Sequence, residues 1–190
     1  MQDDQAFIAH QDRPYVINLS KVLCGRKITL EKIYCCGIFG LPAGTEPGLP
    51  KFQKRYARLN EIVPGKSVIL SPYAKSVTAI KKEIWAQIIQ DYQNKGYVCY
   101  TNVVGDETAL PDTIPISPLI DEMQLIVEWA GIFIGIRSGL CDVIKEASCR
   151  KIALYPDYNY CDTRWKAVEI YWLEGWENMV AGEDFVWNRS

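Results

Sequence analysis

Histidine is almost absent from this chain, and its scarcity restricts the chemistry available. His10 is the one histidine among 190 residues, and no Cys-x-x-Cys pair occurs. Zinc sites of cysteine and histidine, and nucleophilic sites that pair the two residue types, need several such side chains together. The sequence therefore supports neither kind of site, and we expect no metal centre.

Long hydrophobic runs are also missing. No stretch approaches the roughly 18 apolar residues that a membrane-spanning helix needs. The first residues, Met-Gln-Asp-Asp-Gln, are acidic and polar, unlike a secretory signal. The cysteines number seven, an odd count that favours reduced, buried thiols. We therefore expect a cytoplasmic protein without a transmembrane segment.

Neither sign of charge dominates. Lysine and arginine total 21, aspartate and glutamate 23, and the net charge is -2. Proteins that bind nucleic acids over a broad surface carry a marked basic excess. We therefore expect no nucleic-acid partner, although a small basic pocket remains compatible with this balance.

The first third of the chain differs in composition from the rest. Residues 16–23 have a weak helical pattern, residues 33–41 are mostly apolar, and residues 42–50 are rich in proline and glycine. Such a proline-rich stretch excludes a helix interior or a central strand. We interpret residues 1–60 as an N-terminal extension or linker.

From Ile62 onward, predicted strands and helices alternate. The predicted strands are Ser67–Leu70, Tyr97–Thr101, Ile132–Ile136 and Lys151–Tyr155, and the predicted helices are Ile80–Lys95, Leu119–Ala130, Leu140–Ser148 and Trp165–Trp176. Residues 102–118 are predicted to form a long polar connection. This alternation implies right-handed crossovers and a parallel sheet. We therefore predict an α/β, Rossmann-like three-layer domain over residues 61–190, with a helical C-terminal tail.

Ligands of open parallel sheets lie outside the carboxyl ends of the strands. The loop after the first predicted strand carries Ser71, Lys75 and Ser76, two hydroxyls and a cation suited to phosphate. The loop after the second begins at Asn102 and contains Glu107, a carboxylate that could accept ribose hydroxyls. Plain hydrophilic loops are the alternative interpretation of both segments.

The third candidate loop follows the predicted strand Ile132–Ile136. Arg137 supplies a planar, permanently charged group, and Ser138-Gly139 forms a tight turn before a predicted helix at Leu140. Backbone N–H groups at such a helix start attract anions. An ordinary turn with a surface arginine is the alternative. Phosphate at the first and third loops, with a carboxylate at the second, matches the layout of a nucleotide.

The segment Phe133–Asp142 resembles the strand–turn–helix of bacterial heptosyltransferases and related glycosyltransferases of the GT-B fold, which has two Rossmann-like domains. In that family a turn of the form Asp-Ser/Thr-Gly-x-x-His holds the phosphates of a nucleotide-diphosphate sugar. Ser138 and Gly139 match this turn. Arg137 stands where the family has aspartate, and Asp142 where it has histidine.

The resemblance extends over about residues 67–157. The loop 71–76 is similar to the family's hydroxyl and lysine segment, Trp85 resembles a tryptophan of the following helix, and Glu107 looks like the family's ribose-binding acid. The three loops and the resemblance together predict two sets of binding residues, and no catalytic residue is assigned. Those for the donor phosphates are Ser71, Lys75, Ser76, Arg137, Ser138, Gly139, Leu140 and Asp142, and those for the ribose and base are Asn102 and Glu107.

A GT-B enzyme needs two such domains, and this chain has room for one, which resembles the donor half. The resemblance therefore implies one half of a metal-independent glycosyltransferase of bacterial polysaccharide biosynthesis, with a nucleotide sugar as substrate and no other cofactor. We expect a fragment, or a homologue that needs an acceptor-binding domain or partner chain.

Two other functions remain open. The same fold could hold a non-catalytic sensor of nucleotides or phosphorylated ligands, because a fold does not determine a function. An interaction domain is also open, with the C-terminal tryptophans Trp165, Trp172, Trp176 and Trp187 packed against a partner.

Overall fold

A computed structural model describes residues 7–10, 13–16, 35, 39–42, 44–45, 48, 51–52, 54–75, 77–159 and 166–187. The chain divides into two compact units, residues 1–49 with 157–175 and residues 50–156 with 176–190. Most of the predicted helical stretch 16–23 and of the apolar run 33–41 lies outside the described residues, as do Ser76 and Trp165. The predicted boundary at residue 60 stays a prediction.

The first unit contains little described regular structure. Strands β1 (Phe7–His10) and β2 (Arg13–Val16) pair in antiparallel register. A one-turn helix spans Ala167–Ile170, and the Glu169 carboxylate accepts a hydrogen bond from the Lys166 amide. Since helical structure ends at Ile170, the predicted helix over 165–176 is wrong beyond this turn.

The second unit is built on a six-stranded parallel sheet with the order β5-β4-β3-β6-β7-β8. Its strands are β3 (Ser67–Ser71), β4 (Val98–Asn102), β5 (Ile114–Ile116), β6 (Gly131–Ile136), β7 (Arg150–Pro156) and β8 (Glu177–Ala181). The α/β, Rossmann-like fold with a parallel sheet is thereby confirmed.

The two edge strands are absent from the prediction. Strand β5 is three residues long and contains Pro115, inside the segment predicted as a connection. Proline is tolerated at a sheet edge, where one side of the strand needs no hydrogen-bonding partner. Strand β8 follows Gly175, whose φ of +73° marks a turn. Both strands are defined by pairing with β4 and β7 rather than by local pattern.

Three helices of the second unit connect these strands: α1 (Lys82–Asn94), α2 (Met123–Ala130) and α3 (Gly139–Val143). Helix α1 packs its apolar face on the sheet, with Trp85 and Ile88 buried among the strand residues. The predicted continuation of α3 to Ser148 is wrong, because regular helix ends after Val143. Within the described residues, no helix is long and apolar enough to cross a bilayer.

Candidate functional site

The strand order reverses between β3 and β6. The chain passes from β3 to β4 and β5 on one side, and then returns to build β6, β7 and β8 on the other. Loops that leave neighbouring strands in opposite directions open a crevice at the carboxyl edge, where ligands of such sheets bind. Ser71 is in register with Gly135 at this edge, and Asn102 ends the adjacent strand β4. Arg137 directly follows β6. The three predicted loop segments, which begin at Ser71, Asn102 and Arg137, therefore lie at one edge of the sheet.

Gly135 is a glycine for reasons of packing. A Cβ atom at this position would lie 2.6 Å from Cζ of Phe133 and 3.3 Å from Cβ of Ser71. The Phe133 ring has no exposure and meets Trp176 edge-on, with ring centroids 5.9 Å apart. The aromatic ring thus occupies the space that a side chain at position 135 would need.

Asn102 carries an unsatisfied polar atom at this edge. The residue is 9% exposed, and within the described part of the chain its buried Oδ1 has no hydrogen-bonding partner. Buried amide oxygens are rarely left unpaired, and each exception calls for an explanation such as a missing ligand or water. The sequence indicated Asn102 only through its position after a strand.

Arg137 lies inside the protein rather than on its surface. It is 7% exposed, and its Nη1 and Nη2 donate to the two carboxylate oxygens of Asp142, each at 2.9 Å. Burial is the largest single effect and lowers the pKa of the guanidinium, but the charge and hydrogen bonding of Asp142, together with Cys141 and Tyr155, outweigh it, and the pKa lies above its ordinary value. The alternative of a surface arginine is therefore wrong, and two predicted site residues are bonded to each other.

The turn between β6 and α3 presents bare backbone amides. Among the described residues, no hydrogen bond uses the backbone N–H of Ser138, Gly139 or Leu140. Gly139 is exposed, and a Cβ atom there would meet nothing within 4 Å. Since α3 has only five residues, its dipole is weak, and the turn offers its N–H groups as individual donors.

The loop after β3 places Lys75 in solvent. Lys75 is exposed and makes no hydrogen bond or ion pair with any residue in the described ranges, whereas Ser76 lies outside those ranges. Tyr73 of the same loop donates a hydrogen bond from its hydroxyl to the carbonyl oxygen of Thr108. This bond connects the first candidate loop to the second at the carboxyl edge of the sheet.

Glu107 is partly engaged within its own loop. One carboxylate oxygen, Oε2, accepts a hydrogen bond from the amide of Val104 at 2.9 Å. This bond closes the loop 104–107 on itself and accords with the alternative of a self-contained acidic turn. The contact between Glu107 and a ribose remains a prediction from the sequence.

Tyr155 was not indicated as a site residue, yet it borders the arginine. Its side chain is buried on β7, interacts with Arg137, and donates a hydrogen bond to Oδ1 of Asn178 at 2.8 Å. Burial raises the pKa of the Tyr155 phenol, so it stays neutral. Its sequence signal was only an aromatic residue at the end of a predicted strand.

A separate groove of about 510 Å³ lies along α1. It is lined by Trp85, Ile89 and Gln93 from the helix and by Leu110–Asp112 from the connection to β5, together with polar residues of α1. None of the predicted phosphate, ribose or base residues contributes to it. The described ranges contain no group of three or more histidine, cysteine, aspartate or glutamate residues placed to hold a metal ion.

No protein-family model matches the chain, and no curated protein matches it. In fold it is similar to the bacterial iron-containing dodecameric glycosyltransferase TibC of enterotoxigenic E. coli H10407, at 15% identity and a TM-score of 0.49, over 68% of this chain and 36% of that one. It is likewise similar to E. coli heptosyltransferase WaaC with ADP, at 11% identity and a TM-score of 0.47, over 70% and 44% of the two chains.

A second WaaC structure, with ADP-2-deoxy-2-fluoro heptose, has 10% identity and a TM-score of 0.44, over 76% of this chain and 45% of that one. The chain therefore spans less than half the length of these solved structures. All are glycosyltransferases, the class that the sequence resembles, and the likeness is one of fold alone.

Proposed function

We propose that this chain is the nucleotide-diphosphate-sugar-binding half of a glycosyltransferase, which transfers a sugar to a glycan or related acceptor. One observation carries the proposal: the ends of β3, β4 and β6 bring predicted phosphate and ribose residues to one edge of the sheet, at and beside the point between β3 and β6 where the strand order reverses. The unpaired Oδ1 of Asn102 and the bare amides of the turn at Ser138-Gly139 add groups there that a ligand would satisfy.

Each group has a role in this proposal. Lys75 and the amides of Gly139 and Leu140 meet the diphosphate, and Asn102 and Glu107 meet the ribose and base. Donors fixed at the place where negative charge develops stabilise the departing diphosphate during transfer. In this proposal such cationic and amide groups replace a metal ion, and the nucleotide sugar is the only small molecule required.

The remaining parts of the enzyme lie elsewhere in this proposal. A catalytic base and the acceptor site come from an acceptor-binding domain or a partner chain, in the cytoplasm, within bacterial polysaccharide biosynthesis. The proposal takes this form because only phosphate- and ribose-binding groups are predicted at this edge of the sheet, and we assign no catalytic base among them.

Thermal unfolding with a panel of nucleoside diphosphates tests the proposal. A ligand present at one hundred times its dissociation constant stabilises the folded protein by about 2.7 kcal/mol. For a chain of this size, that corresponds to an increase in Tm of roughly 5–10 °C. If no member of the panel at millimolar concentration changes Tm, the proposed donor site is wrong.

Two lysine variants provide the matched comparison. Lys75→Ala should weaken diphosphate binding by roughly tenfold or more, since a charged hydrogen bond contributes about 1.5–3 kcal/mol. Lys66→Ala removes the same charge at the opposite, amino edge of the sheet and should leave the affinity unchanged. Equal losses in both variants would indicate a general charge effect rather than a site.

Measuring the consumption of a sugar nucleotide distinguishes a glycosyltransferase from a non-catalytic nucleotide sensor of the same fold. We expect a labelled sugar nucleotide to be consumed when an acceptor-binding domain and an acceptor are supplied. Persistent binding without transfer or hydrolysis under those conditions would favour the non-catalytic alternative.

A further inference from the structure

Arg137 and Asp142 form a closed ion pair across the turn that follows β6. Nη1 and Nη2 of the arginine each donate at 2.9 Å, one to Oδ2 and the other to Oδ1 of the carboxylate. The arginine side chain is 8% exposed and that of the aspartate 30%. Two parallel bonds to one carboxylate are a geometrically demanding arrangement that lysine cannot reproduce. The pair therefore links the end of β6 rigidly to α3.

The same arginine also holds the backbone of the turn. Its Nη1 donates to the carbonyl oxygen of Ser138 at 2.6 Å, and that oxygen also accepts from the amide of Cys141 at 3.0 Å. The backbone N–H of Arg137 donates to the carbonyl oxygen of Leu154 on β7 at 2.9 Å. The turn is thus fixed at both of its ends by one residue.

We propose that Arg137 is a positioning residue, which together with Asp142 holds the Ser138-Gly139 turn so that its backbone amides meet the ligand. This inference rests on the proposed function, since it takes the ligand to be a nucleoside diphosphate. Three of the five N–H donors of the guanidinium already bind the Asp142 carboxylate and the Ser138 carbonyl oxygen, so these donors could meet a phosphate only by releasing the turn. Because Asp142 neutralises the arginine, the positive charge that attracts the ligand comes from Lys75.

Two variants that conserve every charge test the inference. Arg137→Lys keeps the cation but loses the bidentate geometry, and Asp142→Glu keeps the anion but displaces the carboxylate by one methylene. If the pair positions the turn, both variants should weaken diphosphate binding by roughly tenfold, as expected when binding groups are displaced. The dependence of affinity on salt should stay that of the unchanged protein, because no charge facing the ligand is lost.

Direct contact between the Arg137 guanidinium and a phosphate of the ligand predicts a different pattern of binding in these two variants. If the guanidinium binds the phosphate, Arg137→Lys should weaken binding and Asp142→Glu should leave it unchanged, and that pattern would overturn the inference. Arg150→Lys is the control, because Arg150 makes a similar pair with Glu177 at the amino edge, with Nε to Oε1 at 2.7 Å. This variant should bind as the unchanged protein does.

Amide hydrogen exchange tests the same claim without a ligand. The Cys141 amide is bonded to Ser138, so its exchange should become at least roughly tenfold faster in Arg137→Lys and Asp142→Glu. Unchanged exchange in both variants would overturn the inference even if they bind poorly. If the unchanged protein binds no nucleotide, the proposed function fails, and the exchange rates alone decide whether the pair holds the turn.

Discussion

Gly135→Ala places one methyl group where the strand order reverses. The new Cβ atom would lie 2.6 Å from Cζ of Phe133, well inside contact distance, and 3.3 Å from Cβ of Ser71. The ring cannot swing into solvent, because it has no exposure and meets Trp176 edge-on at an interplanar angle of 81°. The backbone or the ring must therefore shift to admit the methyl group.

Overpacking of this kind costs about 1–3 kcal/mol of unfolding free energy. For a chain of this size, Tm should fall by roughly 2–4 °C for each kcal/mol lost. Urea unfolding followed by tryptophan fluorescence measures the change, and the midpoint should fall without a change in the slope m.

Gly139→Ala is the matched control for this prediction. A Cβ atom there meets nothing within 4 Å and the φ of Gly139 is not positive, so alanine fits without strain and reduces the conformational entropy of the unfolded chain, an effect of about 0.4–1 kcal/mol. The control should therefore unfold at the same or a slightly higher urea concentration. A midpoint for Gly135→Ala equal to that of the unchanged protein would refute the packing explanation.

Two further predictions concern the sheet and its thiols. Thr101→Val should lower the free energy of unfolding by about 1–3 kcal/mol, measured in urea, because the buried Oγ1 hydrogen-bonds to the Thr113 hydroxyl at 2.6 Å and accepts a hydrogen bond from a backbone amide. The control is Thr108→Val at an exposed threonine, which should cost less than half as much. Equal losses in the two variants would refute the role of the Thr101 hydroxyl. Burial raises the pKa of the thiols of Cys99 and Cys141 to about 11 from 9.0, so peptide mapping should find both unalkylated in the folded protein at pH 8, and rapid labelling would refute their burial. Because unfolding lets these thiols ionise at lower pH, stability should decline as the pH rises through 9 and above.

The central secondary structure follows from local sequence. A continuous apolar run predicts β6 within one residue, because a strand buried on both faces needs side chains of that kind at every position. Gly96, with a φ of +78°, ends α1 close to the predicted point. The edge strands could not be predicted in this way, since β5 and β8 exist only through backbone pairing with strands distant in sequence.

The sequence by itself determined that Ser71, Asn102 and Arg137 lie at the carboxyl ends of strands of a parallel sheet and so at one edge, because strands that alternate with helices run parallel and their carboxyl ends share an edge. Tertiary structure alone decided which strands are neighbours and where the charge of Arg137 goes. Burial strengthens its attraction to Asp142 and makes an unpaired guanidinium costly, so the arginine turns to its carboxylate rather than to solvent.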